Sequence, residues 1–162
     1  MFHNKLGEVK PVEITMIKHL LTACHEAKRI TELMPALPQG MTARHVYALD
    51  AIRQLEQSGE PVRVSDISDY LQGTRPSVTK LIQELEALGV VRKFPDCRDK
   101  RVVLLELTPL GQQYYDFYVE QYQSRLAEQL GDLSPEDIQT TIATIHRFYQ
   151  VVRSCKTEES KT

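Results

Sequence analysis

Between Thr74 and Gly111 the chain reads TRPSVTKLIQELEALGVVRKFPDCRDKRVVLLELTPLG. In its first half Val78, Leu81, Ile82, Leu85 and Leu88 stand three or four residues apart, one apolar stripe of a helix. Pro76, Thr79, Lys80 and Gln83 fall on the opposite side of the helical wheel. Thr74 is placed to cap this helix, Pro76 is tolerated in a first turn whose N–H groups lack partners, and Gly89 stops it. Two runs rich in β-branched residues follow, Val90 to Phe94 and Val102 to Leu107. Their link, Pro95-Asp96-Cys97-Arg98-Asp99-Lys100-Arg101, is too long for a two-residue turn and predicts a protruding charged loop. A helix followed at once by a charged hairpin is the outline of a winged helix, a shape that reaches a major groove and the adjacent minor groove together.

The flanking sequence is helical. Val12 to about Leu37 carries Ile14, Ile17, Leu20/Leu21, Cys24, Ala27/Lys28 and Thr31 at helical spacing, until Pro35 and the Pro38-Gln39-Gly40 turn. Thr42 caps a second helix with Val46, Leu49, Ile52 and Leu55 inward, ended by Ser58-Gly59-Glu60-Pro61. Val62-Arg63-Val64 predicts a short strand. Ser65 then caps a two-turn helix, with Asp66 complementing the dipole, and Gly73 supplies the tight turn. Thr108-Pro109 opens a helix to about Leu130, and Ser134-Pro135-Glu136-Asp137 starts the last one, striped by Ile138, Ile142, Ile145, Tyr149 and Val152. The fold class is mainly α with a small β-hairpin: a winged helix-turn-helix embedded in a helical dimerisation frame. Residues 1–11 form an N-terminal arm, 12–60 and 108–155 the helical dimerisation region, 61–107 the winged lobe, and 156–162 a solvated tail. The terminal helices carry more apolar stripe than so small a lobe needs, which points to burial in a second copy.

Charge sharpens the reading. The net charge of −2 argues against nucleic acid only if it is evenly spread. From Gly73 to Arg101 seven cations meet four anions, a local +3, so the remainder carries −5. One basic edge on an acidic body suits a chain that meets phosphate on one face. No apolar run is long enough for a membrane helix, and MFHNKLGEVKP has neither an apolar core nor a cleavage site. Cys24, Cys97 and Cys155 form no C-x-x-C pair, so a reducing cytoplasm is expected. No nucleophile elbow, phosphate-cradling glycine loop or H-E-x-x-H supports catalysis, so no enzyme is expected.

Recognition of duplex DNA requires small polar and basic side chains at a helix N-terminus. Thr74, Arg75, Ser77, Thr79 and Lys80 supply them. In the loop, Arg98 suits a narrow minor groove, where negative potential concentrates. Asp99 and Arg101 are spaced to pair and, with Asp96, to hold the loop's shape, leaving Lys100 and Arg101 near phosphate. Arg92 and Lys93 frame the strand base. A charge cluster is ordinarily a solvated face; the hairpin that follows favours DNA.

These residues resemble the MarR family (multiple-antibiotic-resistance regulator) of bacterial transcription factors. The resemblance rests on Ser77-Val78-Thr79-Lys80-Leu81-Ile82, Leu85-Glu86-Ala87-Leu88-Gly89-Val90-Val91-Arg92, Asp96-x-Arg98-Asp99-x-Arg101 and Leu107-Thr108-Pro109-Leu110-Gly111. The family usually has proline where Cys97 stands. The resemblance implies a cytoplasmic homodimer, joined by the first and last two helices, that binds a pseudo-palindromic operator, usually as a repressor released by a small ligand. It places that ligand between the winged lobe and the dimer helices, where His19, His45, Tyr47, Tyr114, Tyr115 and Tyr118 are candidates for holding an aromatic or phenolic effector. Tyrosine at this spacing is more often core. No metal is expected: zinc-responsive members carry H-x-x-x-H where this chain has Gln112, Gln113 and Tyr114. Cys97, among three cations, and Cys24 are the candidates for redox control. A rival use of the same shape is protein–protein contact, which an apolar recognition face would favour.

Overall fold

The computed structural model describes residues 12–159; the arm at 1–11 and the last three tail residues lie outside them. Chain contacts divide it into one unit reaching to Val119 and a second starting at Glu120.

In the first unit, α1 (Ile14–Glu32) ends five residues before the expected Leu37. Pro35 explains this, since a residue preceding proline is driven out of the helical region. No residue of α1 is buried. The next helix, α2 (Ala43–Glu56), buries Val46, Ala48, Leu49, Ala51 and Ile52 and forms the centre of the core. Its buried face makes α2 the scaffold against which the winged lobe packs.

The short strand β1 (Val62–Arg63) runs directly into α3 (Val64–Tyr70). Arg63, not Ser65, is the N-cap, and the Asp66 carboxylate accepts the Arg63 N–H at 2.8 Å. The helix starts early because β1 pairs with a distant strand, which fixes the chain up to Arg63. Gly73 stands in the turn after α3, as the sequence assigns it. Gln72, with φ +49, takes the left-handed position, and Gly73 N–H reaches the Ser68 carbonyl at 3.0 Å, six residues closing a helix end. Gly73 is needed for a different reason: a Cβ there would stand 2.9 Å from Val78.

Helix α4 (Arg75–Ala87) buries Val78, Leu81, Ile82 and Leu85, the stripe read from the sequence, and Gly89 closes it at φ +72. Thr74 takes the N-cap position, but its hydroxyl makes no capping bond. The strands β2 (Val91–Pro95) and β3 (Val103–Leu107) are antiparallel, with Val91 opposite Leu107 and Pro95 opposite Val103. Since β1 pairs with β3, the sheet has three strands in the order β1-β3-β2.

At the wing base the sequence LTPLG becomes a joint. Thr108 N–H bonds the Val90 carbonyl at 3.1 Å, its hydroxyl donates to Gly89 O at 2.7 Å, and the same oxygen accepts Gly111 N–H. A Cβ on Gly111 would lie 1.9 Å from the Val90 oxygen, so α5 (Pro109–Tyr115) approaches the hairpin as only glycine permits. The single helix expected to reach Leu130 is interrupted. Asp116–Gln121 is a widened π-helical segment in which Tyr118 and Val119 are buried.

In the second unit, α6 (Tyr122–Gln129) buries nothing. Helix α7 (Pro135–Glu159) begins at the predicted Ser134 cap, whose oxygen accepts Asp137 N–H at 3.0 Å, and continues four residues into the segment read as tail. Its stripe of Ile138, Ile142, Ile145, Tyr149 and Val152 is 40–50% exposed.

The joint yields a prediction. Gly111→Ala should destabilise the first unit by about 2 kcal/mol or more, because backbone rather than a flexible side chain must move. A thermal melt indistinguishable from wild type would contradict this packing.

Candidate nucleic-acid interface

The buried stripe of α4 turns Thr74, Arg75, Pro76, Thr79, Lys80 and Gln83 outward, and all are exposed. Ser77 is half-buried, and its hydroxyl oxygen accepts a 2.7 Å bond from Arg44 of α2. Lys80 lies 3.8 Å from Glu84, one turn along. Arg44 was not singled out by the sequence: its contact spans 33 residues, and no local pattern foretells it.

The wing tip follows from its two aspartates. Asp96 Oδ1 accepts the Arg98 N–H at 2.7 Å, and Asp99 Oδ1 accepts the Arg101 N–H at 3.0 Å. Each is a side chain imitating a backbone turn two residues on. The loop is closed further by Asp96 N–H to Val102 O at 2.9 Å. The Asp96 bond holds the turn although Cys97 stands between its partners. Asp99 then forks with the Arg101 side chain, Nε and Nη2 both at 3.0 Å. That guanidinium and the Arg101 N–H hold the Asp99 carboxyl below the ordinary aspartate range, and the same pair raises Arg101.

Counting ion pairs separates the cations into two sets. Lys80 pairs with Glu84, Lys93 with Glu86, Arg92 with Glu106 and Arg101 with Asp99. Among the described residues, no carboxylate pairs with Arg75, Arg98 or Lys100. Of the cations without a carboxylate partner, Arg75 lies at the start of α4 and Arg98 and Lys100 on the wing tip, while Arg44 on α2 and Arg63 at the end of β1 lie apart from the wing tip in sequence.

The start of α3, the middle of α4 and the wing line a cavity of about 500 Å³. Its lining mixes polar residues (Arg63, Ser65, Thr79, Gln83, Lys93 and Arg101) with aliphatic ones (Val64, Ile82, Val102 and Val103). Arg63 and Ser65 were not read as site residues. Strand alternation carries the missed signal for Arg63, since buried Val62 next to it forces Arg63 to the other face.

The six residues considered for an effector pocket do not share this cavity. Tyr115 and Tyr118 are buried in the core, and Tyr118 donates to the Ala36 carbonyl at 3.2 Å. Tyr114 meets the Tyr118 ring edge-on at 5.9 Å. Tyr47 ties α2 to the end of α1 through the Thr31 carbonyl at 2.9 Å. His45 is buried: its Nδ1 accepts the Thr42 N–H at 3.0 Å, which leaves the proton on Nε2, 3.1 Å from Glu84. His19 is exposed on α1. Cys24 is half-buried, and Cys97 is an exposed free thiol. Among the described residues no three His, Cys, Asp or Glu side chains gather as metal ligands, and no helix is long and apolar enough to cross a membrane.

Residues 39–101, the second helix through the wing, match the family model described as MarR family. Over these residues the chain has the winged helix of the MarR family, and it is similar to that family's transcriptional regulators. Transcriptional activatory protein BadR of Rhodopseudomonas palustris is 30% identical over 120 residues, 73% of this chain and 66% of BadR. The chain thus spans just under two thirds of that relative. Among solved structures of the same fold, Streptococcus pneumoniae FabT in complex with DNA superposes at a TM-score of 0.66 and 22% identity, over 88% of this chain and 99% of FabT. PcaV of Streptomyces coelicolor, in complex with its natural ligand, does so at 0.65 and 16%, over 89% and 99%. The MarR wing pattern D-x-R-D-x-R is here two consecutive aspartate-capped turns.

The Asp99 pair sets a pH expectation. A carboxylate with a depressed folded pKa contributes order above its unfolded value and loses it as pH falls through the folded one. The wing tip should stay closed through the neutral range. A carboxyl-carbon NMR titration of Asp99 should find a midpoint below that of an aspartate in an unstructured peptide; a midpoint at or above the peptide's would contradict the pairing.

Proposed function

We propose that two copies of this chain bind a pseudo-palindromic DNA operator and thereby regulate transcription in response to a small effector. The observation that carries the DNA reading is the charge sorting: among the described residues of this lobe, Arg75 at the start of α4, Arg98 and Lys100 on the wing tip, and Arg63 on the lining of the cavity have no carboxylate partner. Arg75 stands with Thr74, Thr79 and Lys80 at the end of α4 that enters a major groove. Arg98 stands where a wing enters a minor groove, with Lys100 and Arg101 beside the phosphates.

The homodimer reading is supported by apolar surface. Helix α7 exposes five large side chains at helical spacing, and α1 exposes Ile14, Met16 and Leu21. A chain does not leave such stripes in water without a partner. The protein-contact alternative lacks equivalent support, because α4 contributes none of the exposed large hydrophobics among the described residues.

The sign of regulation follows from where an operator sits, not from the fold. A dimer over a promoter represses and one beside it can recruit. Repression is the family's usual mode, while BadR is described as an activator. The effector reading draws on PcaV, which was solved with its ligand. Since five of the six proposed aromatic and histidine candidates have structural contacts here, an aromatic or phenolic acid would have to act by prising apart contacts such as Tyr47 to Thr31. Redox control through Cys97 would act by placing a bulky or charged adduct beside Arg98.

On a duplex selected from a random pool, a dimer making on the order of 8 phosphate contacts should give a log–log salt slope near −7. A slope near zero would remove the phosphate-contact model. Arg98→Ala should weaken operator binding about tenfold with an unchanged melt, since its side chain supports no fold contact. Normal affinity in that variant would remove the wing tip from the interface.

A further inference from the structure

The cavity lined by α3, α4 and the wing mixes residues of opposite character. Three of its ten lining residues are cations, Arg63, Lys93 and Arg101, and none is acidic. The carboxylates that neutralise two of them, Glu86 and Asp99, belong to residues outside the lining. Arg63 has no carboxylate side-chain partner among the described residues; Asp66 is engaged by its backbone N–H. Aliphatic side chains, Val103 among them, line the same groove, and low-dielectric lining of this kind concentrates the field that the cations project into it.

The volume discriminates between anions. At about 500 Å³ the groove is several times larger than one phosphate group. The aliphatic part of the lining also gives a small oxyanion nothing to bond. A sugar-phosphate unit suits such a mixed lining, with its deoxyribose against the aliphatic side chains and its phosphate oxygens against the cations. The position agrees: a strand passing from the outer face of α4 to the wing tip must cross this groove.

We propose that the groove seats one sugar-phosphate unit of bound DNA on each subunit, with Arg63 and Lys93 as phosphate-binding residues. The inference rests on the duplex-binding reading above. It adds two residues from outside the recognition helix and wing tip, and these contribute affinity that is independent of base sequence. Lys93, 28% exposed, exchanges its Glu86 partner for phosphate when DNA arrives.

The test is a methylphosphonate scan of a selected duplex, which neutralises one phosphate at a time, read by fluorescence anisotropy. For the wild-type dimer, one symmetry-related pair of neutralised phosphates should weaken binding about tenfold, and Arg63→Gln should weaken binding to the unmodified duplex comparably. Arg63→Gln should be insensitive to methylphosphonate at that pair while remaining sensitive elsewhere. The salt slope should fall by about 2 per dimer, near 0.9 for each lost contact. Lys93→Gln should behave alike, with Lys93→Arg restoring binding, and both variants should melt as wild type. If wild type binds the duplex and Arg98→Ala weakens it, while Arg63→Gln and Lys93→Gln keep full affinity and slope, the groove assignment fails and the duplex-binding reading stands. If wild type binds no duplex, both fail. Saturable binding of inorganic phosphate to Arg63, with no linkage to any duplex phosphate, would overturn DNA as the occupant.

Discussion

Three pieces of the lobe meet at the Val90 carbonyl, and their geometry there fixes everything further out. The Thr108 N–H bonds to that oxygen, the Thr108 hydroxyl bonds to the preceding carbonyl of Gly89, and the bare backbone of Gly111 rests against it. The end of α4, the base of the hairpin and the start of α5 are thereby locked to one another. The wing tip projects from this joint, so the spacing between the α4 face and Arg98 is set by backbone hydrogen bonds rather than by flexible side chains. A groove of definite width between them is the consequence, and definite width is what a fixed phosphate spacing demands.

Electrostatics on this frame works by subtraction. Pairing within the lobe uses acids and bases that lie close in the fold: Arg92 across the sheet with Glu106, Lys93 with Glu86, and Arg101 with Asp99 two residues away. Such exposed pairs contribute little to the fold because water screens them, but they decide which cations remain available. Those left over include the cations at the tips, where a ligand can reach them. An acidic chain can therefore present a cationic edge, and no large net positive charge is required.

What was legible in the sequence was local. The α4 stripe could be read because its spacing repeats every three or four residues, and the Asp99–Arg101 pair because two residues is the reach of an aspartate turn. What failed depended on distant partners. Ser65 looked like a helix cap until pairing of Arg63 with Leu104 moved the helix start. Gly73 lies in the turn that the sequence assigns to it, but the left-handed backbone is at Gln72, and Gly73 is small to make room for Val78. The Arg44–Ser77 bond and the cavity lining containing Arg63 join segments far apart in the chain, and no window of sequence displays them. The tyrosines were the harder ambiguity: the same spacing serves a pocket or a core, and packing against α2 and Ala36 made Tyr115 and Tyr118 core.

In the proposed assembly, a two-fold pair of chains on one duplex, the apolar surface exposed on α1 and α7 and the unpaired charge on α4 and the wing both find partners. Hydroxyl-radical footprinting of a selected duplex, with the chain-to-duplex ratio measured by native mass spectrometry, tests that assembly most directly. The account predicts two chains per duplex and two symmetric protected half-sites whose centres are about one helical turn, roughly 34 Å, apart. A single chain on a single half-site, or uniform protection with no preferred position, would contradict it.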